Sequence, residues 1–235
     1  MVSNPPTSSY LQHFLRERPE MRQQTTEILN VEIEDGMSVL DIGAGPGVLF
    51  QLLDQQRQDC VVYGLERNPD FHAYGEMLSR VSSRNRYVPI FGDARNYTTS
   101  FLPVDVLCFL RSFHELSPLL EERIRTVELL KQFTKPEAKV IITDPFYTEE
   151  AYRNPEMYQS AIAAAQGYLQ RTFGHSHSVA ELPPPAKVRS LLETSLSDIR
   201  VSIFSDELTR ATDIIQTYWI IGRSVSTGSV QRKTI

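Results

Sequence analysis

The sequence predicts an α/β fold built on a doubly wound, mostly parallel sheet. Three observations predict it. A short apolar strand, Ser38–Ile42, runs directly into the glycine-rich turn Gly43-Ala44-Gly45-Pro46-Gly47 and then into an amphipathic segment, the strand–loop–helix opening of a ligand-binding α/β unit. Strand-length apolar runs then alternate with helical periodicities, the order that makes right-handed parallel crossovers. Val104–Leu110 is apolar at nearly every position, as a central parallel strand buried on both faces must be.

Each element follows in order. Tyr10–Arg18 and Pro19–Leu29 read as two N-terminal helices; Pro19 ends the first and is tolerated at the start of the second. Ser38–Ile42, Val61–Glu66, Arg86–Phe91, Val104–Leu110 and Lys139–Thr143 read as strands. Val48–Gln58, Asp70–Val81 and Pro118–Phe133 read as the helices between them, and Gly92–Thr99 as a polar turn. After Asp144 the plain alternation stops. Asp144-Pro145-Phe146-Tyr147 reads as a turn that starts a cap. Glu149–Phe173 then reads as a long helical segment, Gly174–Pro185 as a loop and Ala186–Thr194 as a short helix. Two closing strands, Ile199–Phe204 and Ile214–Ile221, are joined too tightly for a crossover, so the pairing is read as antiparallel. The expected organisation is N-terminal helices over residues 1–35 and a seven-stranded domain over 36–224. A cap is inserted at about 146–185, and residues 225–235 form a disordered tail.

Composition narrows the function classes. The chain has 235 residues, 41% hydrophobic and 23% charged, with a formal charge of −5. That balance suits a globular domain and supplies no long-range attraction for a phosphate backbone, so no nucleic-acid partner is expected. Cys60 and Cys108 both lie inside apolar runs and read as buried thiols of a reducing compartment. Met1–Ser9 is polar, and no run is long and apolar enough to span a bilayer. The expectation is a cytoplasmic protein without a membrane partner, with a homodimer as a candidate assembly.

The chemistry concentrates at the carboxyl ends of the strands. Asp41 stands two residues before the first glycine, and a carboxylate there favours a cationic ligand over a pyrophosphate. Glu66 ends the second strand, Gly92-Asp93-Ala94 follows the third, and Leu110-Arg111-Ser112-Phe113-His114-Glu115-Leu116 follows the fourth. In this order and spacing the motifs resemble the class I S-adenosylmethionine-dependent methyltransferases, a likeness covering roughly Gly36 to Arg223. It implies a Rossmann-like methyltransferase fold that binds S-adenosyl-L-methionine and releases S-adenosyl-L-homocysteine. The cofactor-binding residues it implies are Asp41, Gly43, Ala44, Gly45, Gly47, Glu66, Arg67, Asp93, Ala94 and Arg111. Within that set Glu66 would accept from the ribose hydroxyls and Asp93 from the adenine amino group. The Ala94 N–H would donate to a ring nitrogen, and Arg111 would meet the cofactor carboxylate or an anionic substrate.

Competing readings stay visible. A dinucleotide fingerprint would place the third glycine one position later, and Asp41 would repel a pyrophosphate. Asp144-Pro145-Phe146-Tyr147 resembles the Asp-Pro-Pro-Tyr motif of amino methyltransferases, but it has Phe146 for the second proline and follows the fifth strand. Glu66 could pair with Arg67, and Asp93 could cap its own turn. His175 and His177 lack a third ligand, and Arg111 and Ser112 stand where a magnesium-binding acid would be, so no metal is expected.

His114 is the candidate catalytic residue, a base for a phenol or acid, with a loop-capping histidine as the alternative. Tyr10, Phe14, Phe146 and Tyr158 are candidate substrate contacts, because aromatic walls suit a planar or hydrophobic small molecule. The alternative is that such residues form the cap's own core. The expected activity is methyl transfer to an O, N or C atom of a small molecule, as in natural-product pathways. A cofactor-binding protein with another reaction, or a protein or nucleic-acid methyltransferase, remains the alternative.

Overall fold

The computed structural model describes residues 19–81, 83–98, 103–163, 181–204 and 215–225. The expected helix Tyr10–Arg18, the tail beyond Val225 and the residues Tyr10, Phe14, His175 and His177 lie outside the described residues.

The described chain opens with α1 (Pro19–Glu32), followed by β1 (Ser38–Ile42), α2 (Val48–Gln56), β2 (Val61–Glu66), α3 (Pro69–Leu78), β3 (Arg86–Phe91) and β4 (Val104–Leu110). A 3-10 turn at Phe113–Glu115 leads to α4 (Leu120–Leu130), β5 (Thr134–Tyr147) and α5 (Glu149–Arg153). Then come helical residues 155–163, α6 (Pro185–Leu192), β6 (Leu196–Phe204) and β7 (Ile215–Ser224). The strands form one seven-stranded sheet in the order β3-β2-β1-β4-β5-β7-β6. The β1, β2, β3, β4 and β5 ladders are parallel, and β7 runs antiparallel to both β5 and β6. This is the doubly wound Rossmann-like sheet with an antiparallel last strand.

Strand alternation divides the core between the two sheet faces. Leu40 and Ile42 of β1 and Leu107 and Phe109 of β4 join Leu120, Val127 and Leu130 of α4 and Val188 and Leu192 of α6 on one face. Val39, Val62, Val106 and Cys108 pack on the other against Leu49, Leu52 and Leu53 of α2 and Leu29 of α1. Cys60 and Cys108 are buried free thiols. Gly64 lacks a side chain where the Tyr87 ring crosses β2: a Cβ there would lie 2.1 Å from the Tyr87 hydroxyl.

Three expectations need correction. Asp144–Tyr147 is strand, not turn: β5 continues to Tyr147 and pairs with β7 over that stretch. Pro145 is tolerated because the β4 ladder ends at Leu110↔Thr143, so no bond to β4 is interrupted there. The helical segment expected from Glu149 onward is broken at Asn154, before Pro155. The Asn154 side chain accepts the N–H groups of Glu156 and Met157 and starts the next helix. The helix expected over Pro118–Phe133 is regular only over Leu120–Leu130, then tightens to a 3-10 turn through Phe133. Among the described residues no helix is long and apolar enough to cross a membrane.

Candidate active site at the carboxyl edge of the sheet

The turn after β1 takes the left-handed conformation at Gly43, Gly45 and Gly47, with φ of +66°, +53° and +73°. The N–H groups of Gly43 and Ala44 donate to the Leu65 carbonyl at 2.9 and 3.2 Å, which ties the turn to the end of β2. Gly43 has a second reason to be glycine. A Cβ there would meet the Ser112 Cβ at 2.7 Å, and the Ser112 hydroxyl donates to the Ile42 carbonyl, so the loop after β4 lies directly over the turn. At Gly45 a Cβ would meet nothing within 4 Å. The backbone is therefore bare on the side where a ligand would approach.

Asp41, Gly43, Ala44, Gly45 and Pro46 of the turn, and Val48, Leu49, Leu110 and Arg111 line one cleft. Asp41 is 1% exposed and its Oδ1 has no hydrogen-bond partner. Burial, with the nearby Glu66 charge adding to it, pushes the Asp41 carboxyl up to about 8. A buried acceptor without a donor costs about 1–3 kcal/mol, and a cationic donor in the cleft would remove that cost. Glu66 reaches the turn from β2: its Oε2 accepts from Gly45 N–H at 2.8 Å and its Oε1 from Asn68 N–H at 2.7 Å. A buried carboxylate oxygen without a donor, a second carboxylate and the open Gly45 backbone suit a cationic donor.

The third motif is more self-contained. Asp93 accepts the Arg95 backbone N–H at 3.0 Å and is clamped by the Arg95 guanidinium, whose bonds hold its carboxyl below the usual range. The turn-capping reading of Asp93 therefore holds. Ala94 is buried beside it in the core. Arg67 adjoins Glu66 in sequence but is half exposed, 3.8 Å from Glu115 across the site.

His114 stands in the 3-10 turn after β4, anchored by its fully buried neighbour Phe113. Arg111, at φ +57°, bends the chain out of the strand, and its N–H donates to the Thr143 carbonyl at 2.8 Å. His114 Nδ1 lies 2.7 Å from Asp144 Oδ1, and its Nε2 lies 3.4 Å from Glu115 Oε1. Burial alone would depress the imidazole. The Asp144 carboxylate and the bonds to Asp144 and Glu115 override it and push the ring up to about 10.

Sequence reasoning missed two members of this group. Asp144 is 1% exposed near the end of β5. An acid directly after the apolar run Val140-Ile141-Ile142-Thr143, at a strand's carboxyl end, is the signal that could have found it. Arg123, on the first turns of α4, is fully buried. Its Nε and Nη2 donate to the Ser117 and Pro118 carbonyls at 2.6 and 3.1 Å, while its Nη1 has no partner. Nothing in its charged, amphipathic helix marks it as buried.

On the acceptor side, Phe146 is not a pocket wall. It is 3% exposed in the main core, its ring 5.8 Å from that of Tyr218. Tyr147 faces the other way, its ring 5.0 Å from that of Tyr158 and its buried hydroxyl without a partner. Tyr158 in turn meets Tyr152 at 6.0 Å. Among the described residues no group of three or more His, Cys, Asp or Glu side chains could hold a metal ion.

No family model matches the chain, and no curated protein sequence matches it. Solved structures do. A SAM-dependent methyltransferase from Aquifex aeolicus is 17% identical, with 95% of this chain and 100% of that one covered and a TM-score of 0.60. A mycolic acid cyclopropane synthase, solved with S-adenosylhomocysteine, is 13% identical over 90% of this chain and 88% of its own, with a TM-score of 0.66. A phosphoethanolamine N-methyltransferase from Haemonchus contortus, solved with phosphomonomethylethanolamine and S-adenosylhomocysteine, is 14% identical. It covers 95% of this chain and 58% of its own, with a TM-score of 0.66. The chain has the fold of S-adenosylmethionine-dependent methyltransferases.

Proposed function

We propose that this chain binds S-adenosylmethionine in the cleft between Asp41 and Glu66 and transfers its methyl group to a small aromatic or hydrophobic molecule. The observation that carries the reading is the buried Asp41 oxygen without a donor, beside a turn that is open at Gly45. An ammonium group supplies the missing donor and draws the carboxyl into its ionised form. Glu66 keeps acceptor capacity for ribose hydroxyls, because each carboxylate oxygen can take a second bond. Gly43, Ala44, Gly45 and Gly47 cradle the ligand, Arg67 and Arg111 flank it, and Asp93 with the Ala94 N–H receives the adenine.

When bound, the cofactor supplies an electrophilic methyl group on a positively charged sulfur. The chain's own part is then to position the acceptor in line with that methyl and to exclude water. His114 would contact the acceptor, a reading supported by its 24% side-chain exposure and by Asp144, which fixes its Nδ1. Of the candidate aromatic contacts, Tyr158, on the helical segment after Tyr147, would wall the acceptor space. The net charge of −5 supports a small-molecule partner over a nucleic acid, in a cytoplasmic enzyme.

Calorimetry with S-adenosylhomocysteine is the direct test. Binding is expected, at least about tenfold weaker in Glu66→Ala, the scale of a lost charged hydrogen bond, and none is expected for a nicotinamide dinucleotide. The reverse preference overturns the cofactor assignment. Labelled methyl groups offered with small-molecule pools test the acceptor class, and label appearing only in protein or RNA overturns it.

A further inference from the structure

We infer that the methyl acceptor is an oxygen acid bound as its anion, held by His114 Nε2 in the place where the Glu115 carboxylate now lies. The inference rests on reading the cleft as a methyl-transfer site, and it names the class of molecule that site takes.

Both ring nitrogens of His114 face carboxylate oxygens, Asp144 at 2.7 Å and Glu115 at 3.4 Å. A neutral imidazole has one N–H and one lone pair, so one of these contacts would set lone pair against lone pair. The imidazolium satisfies both. Charges alternate along the whole row. Arg67 at the end of β2 faces Glu115 at 3.8 Å, Glu115 faces His114, and His114 faces Asp144. Behind Asp144, the buried guanidinium of Arg123 on α4 and the Tyr218 hydroxyl on β7 lie within its field.

The two carboxylates are not equivalent. Asp144 is sealed in the sheet at a short distance. Glu115 is 37% exposed, its contact with Nε2 is longer than an ordinary hydrogen bond, and Arg67 stands ready to receive it. Glu115 thus occupies Nε2 as a displaceable stand-in for an oxyanion. A ring that already carries both protons cannot take another from a neutral alcohol or amine. It can donate to an oxygen that arrives ionised, such as a carboxylate or an acidic phenol or enol. In the step itself a lone pair of that oxygen forms the new C–O bond as the S–CH3 bond breaks. The released pair goes to sulfur, the anion's charge cancels that of the sulfonium, and no proton moves.

The test uses the full chain and imidazole NMR, with the His114 signal identified by its loss in His114→Gln. The ring is expected to stay charged to about pH 10, where an ordinary histidine titrates near 6.5. Benzoate is expected to shift the His114 signal, and benzamide, with the same shape and no charge, to leave it in place. Glu115→Gln is expected to bind benzoate about threefold tighter, the scale of one exposed ion pair. A His114 titration near 6.5 overturns the inference, as does benzamide acting as strongly as benzoate. All three readouts are taken with and without S-adenosylhomocysteine. Failure of that compound to bind would count against the methyl-transfer reading alone, because the charge of His114 and its choice between the probes are read in the ligand-free protein as well.

Discussion

Asp41 is an acid placed where its charge is unwelcome until a ligand arrives. Its folded pKa of about 8 lies above its ordinary 3.8, so it stabilises the fold below the ordinary value, and that contribution is lost as pH rises through 8. Asp41→Asn keeps the shape and removes the titration. The variant is expected to melt with the wild type near pH 3, where the side chain is neutral in the folded and unfolded chains alike, and above it near pH 9. At neutral pH its affinity for S-adenosylhomocysteine should fall at least about tenfold, because an amide cannot offer the charge that meets an ammonium. Calorimetry showing undiminished affinity would remove Asp41 from the cofactor site. His114 and Asp144 share the same logic with the opposite charge: each is tolerable at its depth because the other is 2.7 Å away.

At the scale of elements, the glycine turn and the loop after β4 are one unit, because Ser112 covers Gly43 and bonds the Ile42 carbonyl. Gly43→Ala would place a Cβ at 2.7 Å from that of Ser112 in a left-handed conformation. A loss of about 2 kcal/mol is expected, read as melting roughly 4–8 °C lower, together with weaker binding of S-adenosylhomocysteine. Unchanged melting would mean that the two loops are not coupled. These elements also mark the limit of what the residues disclose before folding. The β1 turn, the acid ending β2 and the apolar β4 are legible, because each is local and each has one conformation that suits it. The extension of β5 is not, since Pro136 and Pro145 argue against a strand. Only the tertiary setting admits them: a bulge with Glu137 at φ +60° near the first, and the end of the β4 ladder before the second. The His114–Asp144 pair is likewise invisible, because it joins residues 30 apart that only the adjacency of β4 and β5 brings together. Phe146 misleads for the same reason, since its burial depends on Tyr218 of β7.

Across the whole molecule, shifted titrations act on stability with both signs. Burial works against Asp105, but its bonds to Lys135 and Ser38 prevail and hold its carboxyl below the ordinary range; Asp93 is held low by Arg95. Their stabilisation is present above the ordinary carboxylate range and is lost as pH falls. Asp41 and His114 act with the opposite sign. Asp41 withdraws its contribution as pH rises toward 8, and His114, raised above 6.5 by its carboxylates, withdraws its own as pH rises toward 10. Stability of the ligand-free protein is therefore expected to peak near the ordinary carboxylate range, at about pH 4, and to decline as pH rises above it. Ligand changes only part of that curve. An ammonium group bound at Asp41 favours the ionised carboxyl, so binding at about pH 6 must first expel a proton, while at about pH 8.5 it need not. Saturating S-adenosylhomocysteine should raise the melting temperature more at the higher pH than at the lower, and in Asp41→Asn by the same amount at both. Equal gains in the wild type would show that the ligand does not meet Asp41. A gain confined to acid pH would place its positive charge elsewhere on the sheet edge.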